Sequence, residues 1–313
     1  MIADKPMLFE DIQPGHTSFA KDPCVVWLNG LFYLYYSKPC HDRGKSAWGG
    51  HSYQIGIARG HNLSDWEIVG ETRAEQPAEG AGICAPGAVV LDGVVHLFYQ
   101  SYGQFPRDFI CHATSTDGVS FTRDPSNPVV MPRGDWNNGR AIDADVVAFN
   151  GELLLYWATR DPTGAIQMLG VSSSPLDSGF HRDSWTQRCG QSILKPELDW
   201  EQECIEAPAA IVHGGKVYLF YAGAYNCKPQ RIGCAVSADG ISFTRVSDKP
   251  LLNPGGPGDW NASESGHPYV FERGGRVFLF YQGSCDMGAT WRLSRREVAL
   301  PSLPNGSDPI KIH

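Results

Sequence analysis

The chain has 313 residues and a net charge of −8, with 26 Lys and Arg against 34 Asp and Glu residues. This acidic balance excludes a nucleic-acid-binding protein, because the phosphates of its partner would require clustered Lys and Arg side chains. Glycine (35) and proline (22) nearly exclude long helices, while 14 Phe, 12 Tyr and 9 Trp favour a β-rich chain with a large core.

The N-terminal segment from Met1 to Pro6 has no apolar stretch of the kind found in secretory signals, so we expect a cytoplasmic protein. A secreted protein whose signal has been removed is the alternative. No run approaches the ~18 apolar residues that a membrane span needs, and we expect no membrane partner. The nine cysteines are scattered without a CxxC pair, and several lie in apolar runs. We therefore expect free buried thiols rather than a disulfide framework or a zinc site.

A pattern of about 60 residues occurs five times along the chain. In each copy, a position often occupied by proline is followed seven residues later by glycine, and then by leucine and two aromatic residues. These last three residues are Leu34-Tyr35-Tyr36, Leu97-Phe98-Tyr99, Leu155-Tyr156-Trp157, Leu219-Phe220-Tyr221 and Leu279-Phe280-Tyr281. Five copies fill the chain, so we expect a single domain over residues 1–313.

Each copy predicts four strands in order. An apolar strand leads to a tight turn such as Asn29-Gly30 or Asp92-Gly93, because these pairs readily adopt the positive φ that a hairpin needs. An aromatic-rich strand, a strand ending in small residues and a short fourth strand follow. The pattern predicts an all-β fold, a five-bladed β-propeller, whose inner strands start near residues 22, 85, 143, 207 and 267.

The starts of the five inner strands converge at one end of the propeller axis, and we expect the functional site there. The residues at or next to these starts include three acids and a histidine: Asp22, Asp143, Glu206 and His267. Acids that only cap turns or bind water in the channel are the alternative. Because three neighbouring carboxylates repel one another and lose hydration, a chemical role explains them better.

Five short motifs resemble the blade starts of glycoside hydrolase family 43: Lys21-Asp22-Pro23, Ala85-Pro86, Ile142-Asp143-Ala144, Glu206-Ala207-Pro208 and Gly266-His267-Pro268. The wider group of five-bladed furanosidases and xylosidases, with families 32, 62 and 117, shares this layout. The resemblance implies that Asp22 is the general base, that Asp143 tunes the acid and that Glu206 is the general acid. The sequence departs from the family pattern at Cys84, where tryptophan is frequent, and at Ala144, where proline is more usual.

The resemblance further implies an oligosaccharide substrate and a glycosidase without a required cofactor, inverting and exo-acting on arabinofuranosyl or xylosyl residues. Such cleavage needs one protonated and one ionised carboxyl group. We expect the charge of Asp143 to raise the pKa of Glu206, so that it stays protonated near neutral pH. Glu203 and Asp145 are the alternative assignments; Glu203 lies in a loop, and Asp145 should point to the other side of its strand.

Rim loops and links between blades should shape the sugar pocket, since aromatic faces stack on sugar rings and guanidinium groups bind hydroxyls and carboxylates. The candidate binding residues are Trp48, His51, Tyr102, Trp136, Arg160, Tyr225, Glu264 and His267. The links between blades also supply Arg140, Trp200 and Trp260. Arg160 is favoured because it follows the inner hairpin of the blade that carries Asp143. For each aromatic residue, packing between blades is an equal alternative.

His267 has a second interpretation. It could be a hydrogen-bonded channel histidine, or lie beside a calcium ion in the channel, although one histidine is a poor ligand set for Ca²⁺.

Other activities stay open on the same fold. The carboxylates would also serve an exo-galactosidase, an anhydrogalactosidase or a family 32 fructosidase. The tripeptide Arg160-Asp161-Pro162 copies a family 32 motif, but it lies 18 residues after the equivalent position, Asp143. A sialidase is disfavoured because five blades are one too few. A non-catalytic carbohydrate-binding propeller would keep the aromatic rim but would need no acids.

Overall fold

The computed structural model describes residues 7–42, 52–104, 107–301 and 310–313, and its first strand, β1, is Leu8–Phe9. The first blade contains β2 (Lys21–Leu28), β3 (Leu31–Cys40), β4 (Ser52–Gly60) and β5 (Glu67–Thr72). The second contains β6 (Gly82–Leu91), β7 (Val94–Tyr102), β8 (Ile110–Ser115) and β9 (Thr122–Arg123). The third contains β10 (Ile142–Phe149), β11 (Glu152–Arg160), β12 (Gln167–Pro175) and β13 (Thr186–Gln187).

The fourth blade contains β14 (Ile205–His213), β15 (Lys216–Gly223), β16 (Arg231–Ser237) and β17 (Thr244–Arg245). The fifth contains β18 (Glu264–Arg273), β19 (Arg276–Ser284) and β20 (Arg292–Ala299), and the last strand, β21, is Lys311–Ile312. The helical segments of the described chain are three 3₁₀ turns at Pro77–Glu79, Arg182–Ser184 and Asp199–Glu201. No helix in the described ranges is long and apolar enough to cross a membrane.

Successive strands of each blade pair antiparallel, so the five sheets form the five-bladed β-propeller that the repeat predicted. The inner strands begin within three residues of the expected positions. The turns after β2, β6 and β10 adopt positive φ at Asn29, Asp92 and Asn150, as the Asn-Gly and Asp-Gly pairs require.

The last blade is completed by the N-terminus of the chain. Strand β1 pairs with β20, with Leu8 opposite Ser294 and Phe9 opposite Leu293, and β21 pairs with the same strand at Val298. The repeat predicted four consecutive strands in every copy, so the fifth copy departs from that prediction. Pairing the two ends of the chain covers the edge of β20 and closes the ring.

The aromatic pairs of the second strands fill the spaces between blades. Tyr35 donates its hydroxyl proton to the Gly118 carbonyl at 3.0 Å, and Tyr156 does the same to Gly240 at 2.8 Å. In both cases a second strand reaches the turn that precedes the fourth strand of the next blade. Tyr35 thus fixes blade one against blade two, and Tyr156 fixes blade three against blade four.

Strand β1 offers a test of ring closure. The Phe9 side chain is buried (5% exposed) and packs edge-on against Tyr36, whereas the adjacent Leu8 is 50% exposed. We expect Phe9→Ala to lower the free energy of unfolding by about 3 kcal/mol, because it removes a core aromatic ring. Leu8→Ala, the matched control, should change it by less than about 0.5 kcal/mol. Urea unfolding followed by tryptophan fluorescence measures both, and equal effects would contradict the closure.

Candidate active site

All five inner strands begin with the same backbone distortion. Asp22, Ala85, Asp143, Ala207 and His267 have φ values of 53°, 49°, 53°, 50° and 46°, in the left-handed region that non-glycine residues rarely adopt. At each of them the register with the second strand shifts, which marks a β-bulge. A bulge re-aims side chains, and in blades one to three both the distorted residue and its predecessor face one cavity.

Side chains from neighbouring blades stabilise these bulges. The backbone N–H of Asp22 donates to Gln282 Oε1 at 3.0 Å, and that of Asp143 donates to Gln100 Oε1 at 3.0 Å. The N–H of Ala85 donates to the hydroxyl of Ser37 at 2.7 Å. Each acceptor directly follows the aromatic pair of a second strand, so the repeat itself supplies the partner.

The bulges surround a cavity of about 350 Å³ at the convergent end of the axis. The sequence-predicted residues that line it are Asp22, Tyr102, Asp143, Arg140, Arg160, Glu206, Tyr225 and His267. The structure therefore brings the three acids, the histidine, three of the candidate binding residues and Arg140 into one space. Tyr53 forms part of the same wall, with its ring edge-to-face against Tyr102 at 4.8 Å between ring centres.

His267 connects two of the acids. Its Nε2 lies 3.3 Å from Asp22 Oδ1 and 3.6 Å from Asp143 Oδ1. Burial alone would lower the pKa of His267, but the two carboxylates raise it to about 9, so the imidazole is protonated at neutral pH. The imidazolium ion thus supplies a positive charge between the two carboxylates.

The pKa values of Asp143 and Glu206 move in opposite directions. Burial alone would raise the pKa of Asp143, but the hydrogen bond and charge of His267, with the charges of Arg140 and Lys21, hold it below its ordinary value. Burial and the negative charge of Asp143 raise the pKa of Glu206 to about 7. Asp143 is therefore ionised and Glu206 is substantially protonated at neutral pH, so Glu206 can donate a proton beside an ionised neighbour.

Three cationic side chains also line the cavity. Lys21 lies over the Trp291 ring at 4.5 Å, and although burial opposes its charge, the neighbouring Asp22, Tyr53, Glu264 and Glu206 raise the pKa of Lys21. Arg160 lies 5.6 Å from the centre of the Tyr225 ring, and Arg140 pairs with the buried Asp108 at 3.4 Å. These cations offset the three carboxylates and can bind hydroxyl or anionic groups of a ligand.

Asp145 and Tyr269 lie directly after the bulges at Asp143 and His267, on the side away from the cavity. Tyr269 donates its hydroxyl proton to the Ala88 carbonyl at 3.3 Å, which joins blades five and two across the axis. Asp145 Oδ2 accepts the Ala210 N–H at 2.6 Å, and burial raises the pKa of Asp145 to about 7. Neither residue lines the cavity, so the structure favours Asp143 over Asp145 as the residue that faces a ligand.

Two candidate binding residues, Trp136 and Glu264, do not line the cavity. Trp136 stacks on Trp157 with ring centres 5.8 Å apart, as Trp200 does on Tyr221, so it belongs to a repeated packing contact between a link and a second strand. Glu264 is fully buried behind the cavity, where it accepts from the Gln282 amide and the Cys227 N–H. Trp48 and His51 lie outside the described residues.

Several lining residues were not named as site residues by the sequence analysis: Lys21, Tyr53, Cys84, Ala85, Gln100, Ile142, Gln167 and Asn226. The sequence could have indicated Gln100, because it is a polar residue that directly follows the buried aromatic pair of a second strand. Lys21 occupies in blade one the repeat position that Glu206 occupies in blade four. No sequence pattern indicates Gln167, because its place in the cavity depends on contacts between blades.

A sequence model of a protein family, described as "Glycosyl hydrolases family 43", matches residues 12–301 of this chain. The chain is 21% identical to an extracellular exo-α-(1→5)-L-arabinofuranosidase of Streptomyces avermitilis, over 67% of this chain and 45% of that protein. It is 23% identical to a 1,2-β-oligomannan phosphorylase of Thermoanaerobacter sp. strain X514, over 72% of this chain and 71% of that protein.

A crystal structure of a thermostable family-43 glycoside hydrolase superimposes with a TM-score of 0.70 and 20% identity, covering 94% of this chain and 92% of the other. This match shows a shared fold. The chain spans less than half the length of several curated relatives that it matches.

The charge of Asp143 can be tested through its effect on Glu206. Asp143→Asn removes the neighbouring negative charge, so we expect the pKa of Glu206 to fall below its value of about 7. Carbon-13 NMR of glutamate-labelled protein measures this value, with the Glu206 signal assigned by its loss in Glu206→Gln. Asp145→Asn is the matched control and should leave the pKa of Glu206 unchanged. Equal pKa values in Asp143→Asn and the unaltered protein would contradict the proposed repulsion.

Proposed function

The chain belongs to glycosyl hydrolases family 43, and we propose that it is an inverting, exo-acting glycosidase that removes arabinofuranosyl or xylosyl residues from oligosaccharides. One observation carries this proposal. Within one cavity, the pKa of Glu206 is raised to about 7 by burial and by Asp143, while Asp143, held by His267, remains ionised. Glycoside cleavage requires a protonated carboxyl group beside ionised ones.

In this mechanism Glu206 donates its proton to the glycosidic oxygen as the bond from that oxygen to the anomeric carbon breaks. A water molecule attacks the anomeric carbon from the opposite face and gives a proton to the Asp22 carboxylate. The products are the free sugar and the leaving alcohol, and one water molecule is consumed. Proton exchange with solvent then returns Asp22 to the ionised state and Glu206 to the protonated state.

The shape of the cavity supports exo action. Its volume of about 350 Å³ is at the small end of ligand sites, and Tyr269 crosses the axis beyond it. A small pocket of this kind accepts the end of a chain more readily than its middle. The name of the Streptomyces relative, an exo-α-(1→5)-L-arabinofuranosidase, supports arabinofuranosyl oligosaccharides as the first substrates to test.

Amide variants of the two catalytic candidates test the proposal. We expect Asp22→Asn and Glu206→Gln each to lower kcat/KM by about 10²–10⁴-fold, because each removes one proton-transfer group. Sugar binding measured by calorimetry should survive in both variants. The substrate panel is aryl arabinofuranoside, xyloside, galactoside and fructoside, and NMR of the first product reports inversion.

The exposed Glu203 provides the control, because Glu203→Gln leaves the cavity intact and should keep full activity. Unchanged turnover in both Asp22→Asn and Glu206→Gln would overturn the assignment. Sugar binding without turnover by the unaltered protein would favour a carbohydrate-binding propeller.

A second candidate function is phosphorolysis, in which inorganic phosphate replaces water and the product is a sugar 1-phosphate. Two observations favour it: Lys21, Arg140 and Arg160 line the cavity together with the protonated His267, and one relative is named a 1,2-β-oligomannan phosphorylase. Several cations around one cavity are suited to a phosphate ion.

Dependence on phosphate separates the two functions. With arabinofuranosyl, xylosyl and 1,2-β-mannosyl oligosaccharides, we expect free sugar to be released at the same rate with and without 10 mM phosphate. Phosphorus-31 NMR should detect no sugar 1-phosphate. If cleavage requires phosphate and yields a sugar 1-phosphate, the protein is a phosphorylase and the proposal of hydrolysis is wrong.

A further inference from the structure

Two glutamine side chains hold Glu206 from opposite sides. Gln230 Nε2 donates to Glu206 Oε1 at 2.6 Å, and Gln167 Nε2 donates to Glu206 Oε2. Gln167 begins β12 in blade three, and Gln230 directly precedes β16 in blade four. Both glutamines are buried, with exposed fractions of 1% and 0%, so water is poorly placed to replace either donor. Each oxygen of the carboxyl group therefore has its own amide donor.

The partners of each glutamine fix which end of its amide faces Glu206. Gln230 Oε1 accepts the backbone N–H of His267 at 3.1 Å, and its Nε2 also donates to the Ala224 carbonyl at 3.0 Å. Gln167 Oε1 accepts from Arg160 Nε at 3.3 Å, and a guanidinium group can only donate. In both side chains the oxygen is thus committed elsewhere, and the amide nitrogen must face Glu206.

Blade five provides the space for this arrangement. Gly266 occupies the repeat position that carries Lys21, Cys84, Ile142 and Glu206 in the other blades. A Cβ atom at Gly266 would overlap Gln230 Oε1. The absence of a side chain at Gly266 and the N–H of the adjacent His267 therefore place the Gln230 amide against Glu206.

We propose that Gln167 and Gln230 are positioning residues that orient the acidic proton of Glu206 toward the cavity. A carboxyl oxygen has two lone-pair positions, and on each oxygen of Glu206 one of them accepts an amide N–H. The proton then occupies a remaining position, and the carboxyl group keeps its place whether protonated or ionised. This inference rests on the proposed function of Glu206 as the general acid.

The experiment compares two leaving groups on the same sugar, a methyl glycoside and a 2,4-dinitrophenyl glycoside. Departure of methoxide needs a proton from the acid, whereas dinitrophenolate leaves without one. In Gln167→Met, which keeps the side-chain length but removes the donor, we expect kcat/KM for the methyl glycoside to fall about 30-fold or more. The value for the dinitrophenyl glycoside should fall less than about 3-fold.

The pH profile gives a second, independent readout. An amide donor stabilises the ionised carboxylate, so its loss should raise the pKa of Glu206 and move the alkaline limb of kcat/KM to higher pH. General damage to the fold would instead lower kcat/KM equally for both glycosides and leave the alkaline limb at the same pH. Thermal unfolding verifies that each variant is folded.

Gly266→Ala disturbs the other amide contact of Glu206, that of Gln230, without altering a glutamine, and it should reproduce both effects. Gln187→Met is the matched control from β13 in blade three, because the Gln187 amide donates only to the backbone carbonyls of Arg133 and Cys189. We expect this control to retain the leaving-group dependence and the pH profile of the unaltered enzyme.

Each outcome decides the proposal. Equal losses on both glycosides, or no change in Gln167→Met and Gly266→Ala, would overturn the positioning role. Glu206→Gln is measured in parallel on the methyl glycoside. If that variant keeps full activity, the proposed function itself fails; if it is inactive while the glutamine and glycine variants behave normally, only the positioning role fails.

Discussion

The site depends on one backbone constraint, the bulge with left-handed φ that begins all five inner strands. For non-glycine residues this conformation costs roughly 1–2 kcal/mol each, so it persists only where surrounding contacts stabilise it. Hydrogen bonds from neighbouring blades provide that stabilisation at Asp22, Ala85, Asp143 and His267. Because the bulge re-aims adjacent side chains toward the axis, a narrow ring of strands can present acids, cations and space within one small cavity.

A second interaction fixes the strand that carries the acid. Glu201 is fully buried just before β14, where it accepts hydrogen bonds from Tyr221 and Arg245 at 2.8 Å each. Blade two has the same arrangement at Glu79, with Tyr99 and Arg123 as donors. Removing one partner of such a buried pair is costly, so these links are held firmly. Glu206 therefore follows an anchored segment and is then held at its tip by two amides.

The sequence predicted those parts of the fold and site that depend on the repeat. Asp22, Asp143 and His267 directly precede the proline position of the repeat, and Glu206 lies one residue earlier. These four residues could be placed together because a propeller brings equivalent positions of its blades to one ring. The Gly-Asp-Trp sequence that contains Trp136 recurs at Trp260, and both tryptophans pack on an aromatic residue of a second strand. Strand β1 has two residues and hence no periodicity, and Gln167 reaches Glu206 only through the packing of two blades. Contacts of these kinds produce no repeated pattern in a single sequence.

Function on this scaffold arises where the repeat is broken. One position carries Lys21, Cys84, Ile142, Glu206 and Gly266 in turn, while the backbone beneath it hardly changes. The carboxylates around Lys21 and His267 raise the pKa of each, so both stay protonated near neutral pH, and Asp143 stays ionised beside His267. Glu206 therefore changes protonation near pH 7 against a fixed background of charge. That separation allows one carboxyl group to lose and regain a proton while its neighbours hold the ligand.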